Sequence, residues 1–376
     1  MPEGLRSARS AKGWSQNRLV REIELYARRH AISVAAAASL KVYISEWENG
    51  RRSVSAPYAA ILRVLFGMTD AELFGPADPK PHSVEGYDEL VRRIDASHSI
   101  GSSAVETFLS QTEAFRTLDR QMGANQLIDA MNSHITTISD ALTFAVLPEA
   151  RRPLAEALAG AATLAAWQAL DVGAADRAWR RYELAKQAAR EADRPKYVAH
   201  AMGEQAYVLS DAGQYGLALE VLERAIAVRA DTPRRLTAWL LSARAELYAL
   251  SGDAPACRRS LDEAAKMNPG DGMLRDPDMP SIFLTENHLA RWRGHSLALI
   301  GDEDAVSDLY AALSEMDPTF ARAQAGLHCD LAQAHLMRQE YGEATEHLRS
   351  ARLLANRTGS IRHRRRIDGL SYRLSS

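Results

Sequence analysis

Four side chains at positions 41, 42, 43 and 46 carry chemistry suited to the edges of bases. Lys41 can reach a guanine edge or a phosphate, Val42 can touch a thymine methyl, and Glu46 can accept from a cytosine amine. With Tyr43 they fall on the outward faces of a short helix whose inward stripe is Leu40, Ile44 and Trp47, spaced i, i+4, i+7. Asn49-Gly50 is a C-cap signal for that helix, and Arg51-Arg52 follow at once. Two guanidiniums there suit phosphate clamping, which positions a protein on a duplex without reading its sequence.

Other chemistries lack their constellations. The sequence contains no Gly-x-x-x-x-Gly-Lys phosphate loop, no Gly-x-Ser-x-Gly elbow and no His-Glu-x-x-His pair. His328 and His335 lie seven apart on one helix with Cys329 beside the first, but a metal would need further ligands converging there, and packed or solvated histidines are the expectation. Asp302, Glu303 and Asp304 fall in a turn and read as solvated caps. No enzyme activity, cofactor or metal is expected.

Positioning these residues requires helices. Abundant Ala, Leu, Arg and Glu favour them over strands, and 376 residues should divide into two or three domains. A hydrophobic fraction of 46% and a charged fraction of 25% are those of a soluble globular chain. No apolar run approaches the roughly 18 residues that cross a bilayer, and no secretory signal opens the chain, so a cytoplasmic location is expected. Cys257 and Cys329 read as small buried residues. Net charge is −2, but residues 1–75 hold eleven Lys/Arg against seven Asp/Glu, and residues 357–376 hold six Arg against one Asp. Basic ends around an acidic middle are where phosphates can be met.

Within residues 1–75, Leu5 to Arg9 read as a first short helix ending near Gly13. Ser15 is a good N-cap for a second helix, about 15–30, with Leu19, Ile23 and Tyr26 on one face. Ala31–Ala38 reads as an extended turn delivering Ser39 as N-cap of the outward-facing helix. Pro57-Tyr58 opens another helix with Ile61, Leu62, Leu65 and Phe66 apolar, and Thr69–Leu73 completes the unit. The pattern Trp14-Ser15-Gln16, Ile44-Ser45-Glu46-Trp47-Glu48-Asn49-Gly50-Arg51-Arg52 and Tyr58…Phe66-Gly67-Met68-Thr69…Glu72-Leu73 resembles the Cro/phage-repressor (xenobiotic-response-element, XRE-type) helix-turn-helix, its actinobacterial branch in particular. The spacing between Ser15-Gln16 and Glu48-Asn49-Gly50 is longer than that family's usual one. The resemblance implies that Lys41, Val42, Tyr43 and Glu46 face the groove and that Gln16 meets a phosphate. Ser39, Arg51 and Arg52 complete the expected DNA-binding set.

After Gly75, three prolines between 76 and 81 mark residues 76–84 as a stiff linker. Residues 85–153 read as a helical connector: Val105, Phe108, Leu109, Phe115, Leu118 and Met122 form one stripe, and Leu127, Met131, Ile135, Ile138 and Leu142 a second, nearly heptad one. The second is either a dimer seam or a face packed on the first repeat of the body. From 154 to 376 one outline recurs five times: a helix, a Gly- or Gln-marked turn, and a helix with two small residues seven apart. The small pairs are Ala178/Ala185, Ala218/Ala225, Cys257/Ala264, Ala305/Ala312 and Ala344/Ala351. Gly173, Gly213, Gly252 and Gly301 are 40, 39 and 49 residues apart, the last excess lying in the loop 268–280. This outline, most clearly Gly213-Gln214-Tyr215-Gly216-Leu217-Ala218 and Tyr341-Gly342-Glu343-Ala344, resembles the tetratricopeptide repeat. That resemblance implies a right-handed α-solenoid with a concave groove. Trp167, Tyr207 and Trp239 are either core or ligand-binding aromatics of that groove. Arg362-His363-Arg364-Arg365-Arg366 either extends DNA contact, docks on an acidic surface, or is a solvated helix end.

The expectation is therefore an all-α chain, an N-terminal helix-turn-helix on a helical-repeat body. It would act as a homodimeric transcriptional regulator on double-stranded DNA carrying an inverted repeat, its body taking a signal peptide, small molecule or protein partner. The alternative is an interaction scaffold whose head no longer reads DNA.

Overall fold

A computed structural model describes residues 4–30, 32–74, 85–228, 232–270, 279, 281–282 and 284–375. The expected linker 76–84, and residues 271–278 of the expected loop, lie outside these. The described residues form nineteen helices and no strand, so the chain is all-helical. It divides into two compact units, Met1–Glu89 and Leu90–Ser376.

The first unit consists of α1 (Leu5–Ala11), α2 (Gln16–Arg29), α3 (Ala37–Glu48), α4 (Ala56–Phe66) and α5 (Asp70–Phe74). Leu19, Ile23, Leu40, Ile44, Ile61, Leu62 and Leu73 are fully buried in one core. Ser15 caps α2 as its sequence suggests, its hydroxyl accepting from the Arg18 backbone N–H at 3.1 Å. Ser39 does not cap α3. That helix starts three residues earlier, with Ala36 at the N-cap and Ser39 exposed in its first turn. Ala36–Ala38 have the best helix propensity and no breaker, so nothing stops the helix from extending backwards. The segment before it is pinned where the Ala35 N–H donates to the Tyr58 hydroxyl at 2.9 Å.

The second unit opens with the end of α6 (Glu85–His98), then α7 (Ser102–Met122) and α8 (Ile128–Phe144). Leu127, Met131, Ile135, Ile138 and Leu142 are all buried, and the last four pack with the apolar side chains of α9 (Pro148–Asp171). The near-heptad stripe is therefore consumed inside the unit and is no dimer seam.

Five helix pairs come next. The first three are α9 with α10 (Ala175–Glu191), α11 (Pro195–Asp211) with α12 (Tyr215–Ala227), and α13 (Arg234–Leu250) with α14 (Ala254–Met267). Two more are α15 (Glu286–Ile300) with α16 (Ala305–Ser314), and α17 (Ala321–Met337) with α18 (Tyr341–Thr358). A last helix, α19, spans Ile361–Ser375. The ten small residues of the second helices are each at most 1% exposed, which is what lets each sit close against its partner. The first four turns hold a left-handed glycine, and the fifth uses Gln339 at φ +61° instead.

The first helices of the pairs, α9, α11, α13, α15 and α17, touch one another in sequence and make an inner row. That row is closed on itself. Both α7 and α19 touch α9 at one end of it and α17 at the other. Ser360 donates to Asp171 across 189 residues of chain, at 2.6 Å.

Candidate functional site

In the first unit, the end of α3 is fastened from below. Glu48, its side chain fully enclosed, accepts from Arg9 Nε at 2.5 Å and from Gln16 Nε2 at 2.9 Å. Gln16 thereby braces the start of α2 against α3. Burial pushes the Glu48 carboxyl up, but the Arg9 and Gln16 hydrogen bonds and the charges of Arg9 and Arg6 outweigh it and hold it below the usual range. A carboxylate so depressed stabilises the unit above its unfolded pKa near 4.5, and that stability is lost as pH falls through the folded value. Glu48→Ala should cost about 3 kcal/mol by stranding Arg9. In the full chain, 5-fluorotryptophan NMR signals of Trp14 and Trp47 should shift to unfolded positions at lower urea. Wild type should follow below pH 4.5, and pH-independent signals would refute the assignment.

Above this foundation the eight expected DNA-contact residues are distributed unequally. Ser39, Lys41, Arg51 and Arg52 are exposed, Val42 is 54% exposed, and Tyr43 and Glu46 are half-buried. The Arg52 guanidinium stacks on the Tyr43 ring at 3.8 Å and pairs with Glu46 at 3.3 Å. Tyr43, Glu46 and Arg52 thus form one surface cluster, with Lys41 and Val42 one turn earlier on the helix and Arg51 beyond its end. Gln16 faces Glu48 rather than joining them.

In the second unit, Trp167, Tyr207 and Trp239 are brought together. Trp167 meets Tyr207 edge-on at 6.1 Å, Tyr207 meets Trp239 at 6.3 Å, and Trp239 meets Trp292 at 5.5 Å. Tyr207 is buried, and the tryptophans are half-buried. These rings carry a polar layer that sequence reading missed. Glu246 accepts from the Tyr207 hydroxyl at 3.0 Å and the Trp292 indole at 2.9 Å, and lies 3.3 Å from His295 Nε2. His295 Nδ1 meets Asp330 at 2.6 Å. Burial pushes the imidazolium of His295 down, but the carboxylates of Asp330 and Glu246 reverse this and raise its pKa to about 9, so it is charged at neutral pH.

Two arginines of α19 point into this layer. Arg362 grips Asp211 with Nε at 2.8 Å and Nη2 at 3.0 Å, its guanidinium 5.5 Å from the Trp167 ring and 5.4 Å from Tyr207. Arg366 pairs with Asp330 at 2.5 Å. Of the alternatives for residues 362–366, docking on an acidic surface is the one observed. Arg362 and Arg366 are not presented for DNA contact in this arrangement, because both guanidiniums are engaged by carboxylates of the unit.

A signal for the missed residues does exist. The position six before each left-handed turn residue (Gly173, Gly213, Gly252, Gly301, Gln339) is Trp167, Tyr207, Glu246, His295 and Gln333. The last accepts from Arg373 at 2.8 Å. One register across five helices therefore marks the inner face, although its residue types differ.

Elsewhere, His328 and His347 approach through their Nδ1 atoms at 3.0 Å, with the Tyr310 hydroxyl 3.0 Å from His347. Among the described residues, no group of three His, Cys, Asp or Glu side chains is arranged to hold a metal ion. Likewise, no helix there is long and apolar enough to cross a membrane.

No family model matches this chain, and no curated protein matches it. Among solved structures, the TPR2AB domain of yeast Sti1 in its complex with pHSP90 is similar to it at 18% identity and a TM-score of 0.27. That match covers 73% of this chain and 100% of the other.

Proposed function

We propose that this chain is a DNA-binding regulator: α3 of the first unit reads a duplex, and the tetratricopeptide-like second unit receives a peptide or protein partner. The observation that carries the reading is the outward face of α3. Lys41 and Val42 stand exposed over a stripe, Leu40, Ile44 and Trp47, that is entirely buried, with Arg51 and Arg52 free of the core just beyond. A helix so anchored can enter a major groove without unfolding its own support. In this reading the chain acts in the cytosol, without catalysis or cofactor. As a homodimer it would present two heads to half-sites about 34 Å apart or a multiple of that. A partner would act by binding better to one arrangement of the heads than to the other.

Selection of bound sequences from random DNA with the full-length protein should recover an inverted repeat. On the recovered site, Lys41→Ala with Arg51→Ala should weaken binding in a fluorescence titration by about tenfold or more and flatten the salt slope by about one unit per lost phosphate contact. Affinity unchanged by the pair would count decisively against the reading.

A second reading, an interaction scaffold whose head does not read DNA, is favoured by one observation. Tyr43, Glu46 and Arg52 are engaged with each other, which removes three of the eight expected contacts unless DNA displaces them. Recovery of no enriched sequence would favour the scaffold.

A further inference from the structure

We propose that the inner face of the second unit is a recognition site for arginine-bearing peptide segments, occupied in the free protein by the chain's own α19. A partner's arginines would enter by displacing that helix. This deepens the partner-binding half of the proposed function and rests on it.

The seat has the chemistry of an arginine site. Asp211 offers two oxygens to one guanidinium, while Trp167 and Tyr207 offer it ring faces, a combination that the planar fork of arginine satisfies and a lysine ammonium does not. Asp330, only 4% exposed, supplies a second carboxylate for Arg366. Behind them the anionic Glu246 is held in place by Tyr207, Trp292 and His295. Five helices contribute to this face, on which the cations His295 and Arg322 lie beside the carboxylates and rings that meet α19.

The present occupant is held by those charges and by a narrow apolar seam against α17 and α18. In α19 only Ile367 and Leu370 are buried, against twelve buried residues in α17. Arg362 and its partner Asp211 keep 27% and 29% of their side-chain surface in solvent, so a competitor can reach that carboxylate before α19 has left, whereas enclosed Asp330 opens only as the helix departs. The joint is Gly359, at φ +70°, and a swing there would also part the Ser360 hydroxyl from Asp171. Arg364 Nε is enclosed without a hydrogen-bond partner, so the fit of α19 is incomplete.

The test uses the full chain and a fluorescein-labelled synthetic peptide of residues 360–375, read by anisotropy without DNA. Arg362→Ala with Arg366→Ala empties the two seats while keeping Ile367 and Leu370. That protein should bind the peptide about tenfold tighter than wild type, and adding Asp211→Asn with Asp330→Asn should cancel the gain. Equal binding by filled and emptied chains, or indifference to the two carboxylates, overturns the proposal. A peptide with lysine for arginine that binds as tightly overturns the arginine assignment and leaves partner binding standing. Should the emptied chain not fold, amide hydrogen exchange of wild type against Asp211→Asn decides. Exchange of residues 361–375 should accelerate about tenfold while α17 is unchanged, and no acceleration refutes displacement.

Discussion

Arg322→Ala is expected to lower the stability of the second unit by about 3–5 kcal/mol, the range found when one member of a buried ion pair is removed. Arg322 Nη2 lies 2.6 Å from Asp119, Nη1 lies 3.9 Å from Asp171, and both carboxylates are 1% exposed. Its guanidinium also faces the Trp167 ring at 5.7 Å. Asp119 is on α7, Asp171 on α9 and Arg322 on α17, so one side chain ties three helices where the row closes. Alanine leaves two enclosed carboxylates facing each other, with His363 Nδ1 4.0 Å from Asp171. Burial already pushes Asp171 above the usual carboxylate range, against the pull of Arg322 and Ser360, so the stranded Asp171 should take up a proton. Urea unfolding at pH 7 should show the loss in full, and at pH 5 a smaller one. Adding Asp119→Asn should recover part of it. A change below about 1 kcal/mol at pH 7 would mean that the closure does not depend on this triad.

Gly123→Ala should cost about 2–5 kcal/mol at the same seam. Gly123 ends α7 at φ +83° and ψ 171°, a conformation nearly confined to glycine. A Cβ there would sit 2.3 Å from the carbonyl oxygen of Thr358 and 2.8 Å from its Cβ. Backbone strain of about 1–3 kcal/mol adds to an overpacking cost of similar size, because a carbonyl oxygen cannot step aside as a side-chain tip can. Gly160→Ala is the control. It lies within α9 with nothing within 4 Å of its Cβ, so alanine there should be neutral or stabilise by up to about 1 kcal/mol. Similar melting temperatures for the two variants would refute the close approach of α7 to the end of α18.

Much of this architecture is legible in the sequence because it is local. Small residues seven apart, with a glycine turn before them, report helix pairs directly, and Ser15 marks a helix start through a contact three residues away. Ser39 misleads for an equally local reason: a cap works only where the preceding residues resist helix, and Ala36–Ala38 do not. The near-heptad stripe 127–142 has the spacing of a dimer seam, but spacing cannot say which apolar face it meets, and α9 meets it first. The destination of the basic segment 362–366 is hidden more deeply. Arg362 finds Asp211 across 151 residues, a pairing that charge patterning leaves open. The shared register of Trp167, Tyr207, Glu246, His295 and Gln333 was nonetheless present, obscured because the five differ in chemistry and agree only in their distance from a turn.

The handshake between Ser360 and Asp171 also restricts what evolution and engineering can do with this body. An open array of helix pairs tolerates whole repeats being spliced in or cut out, since each answers only to its neighbours. Here the number of pairs is set by circumference: a sixth would hold Asp171 and Ser360 apart, and loss of one of the five would leave too short an arc for them to meet. Change in this lineage should accordingly accumulate in loop lengths and inner-face side chains, with the tally of repeats conserved.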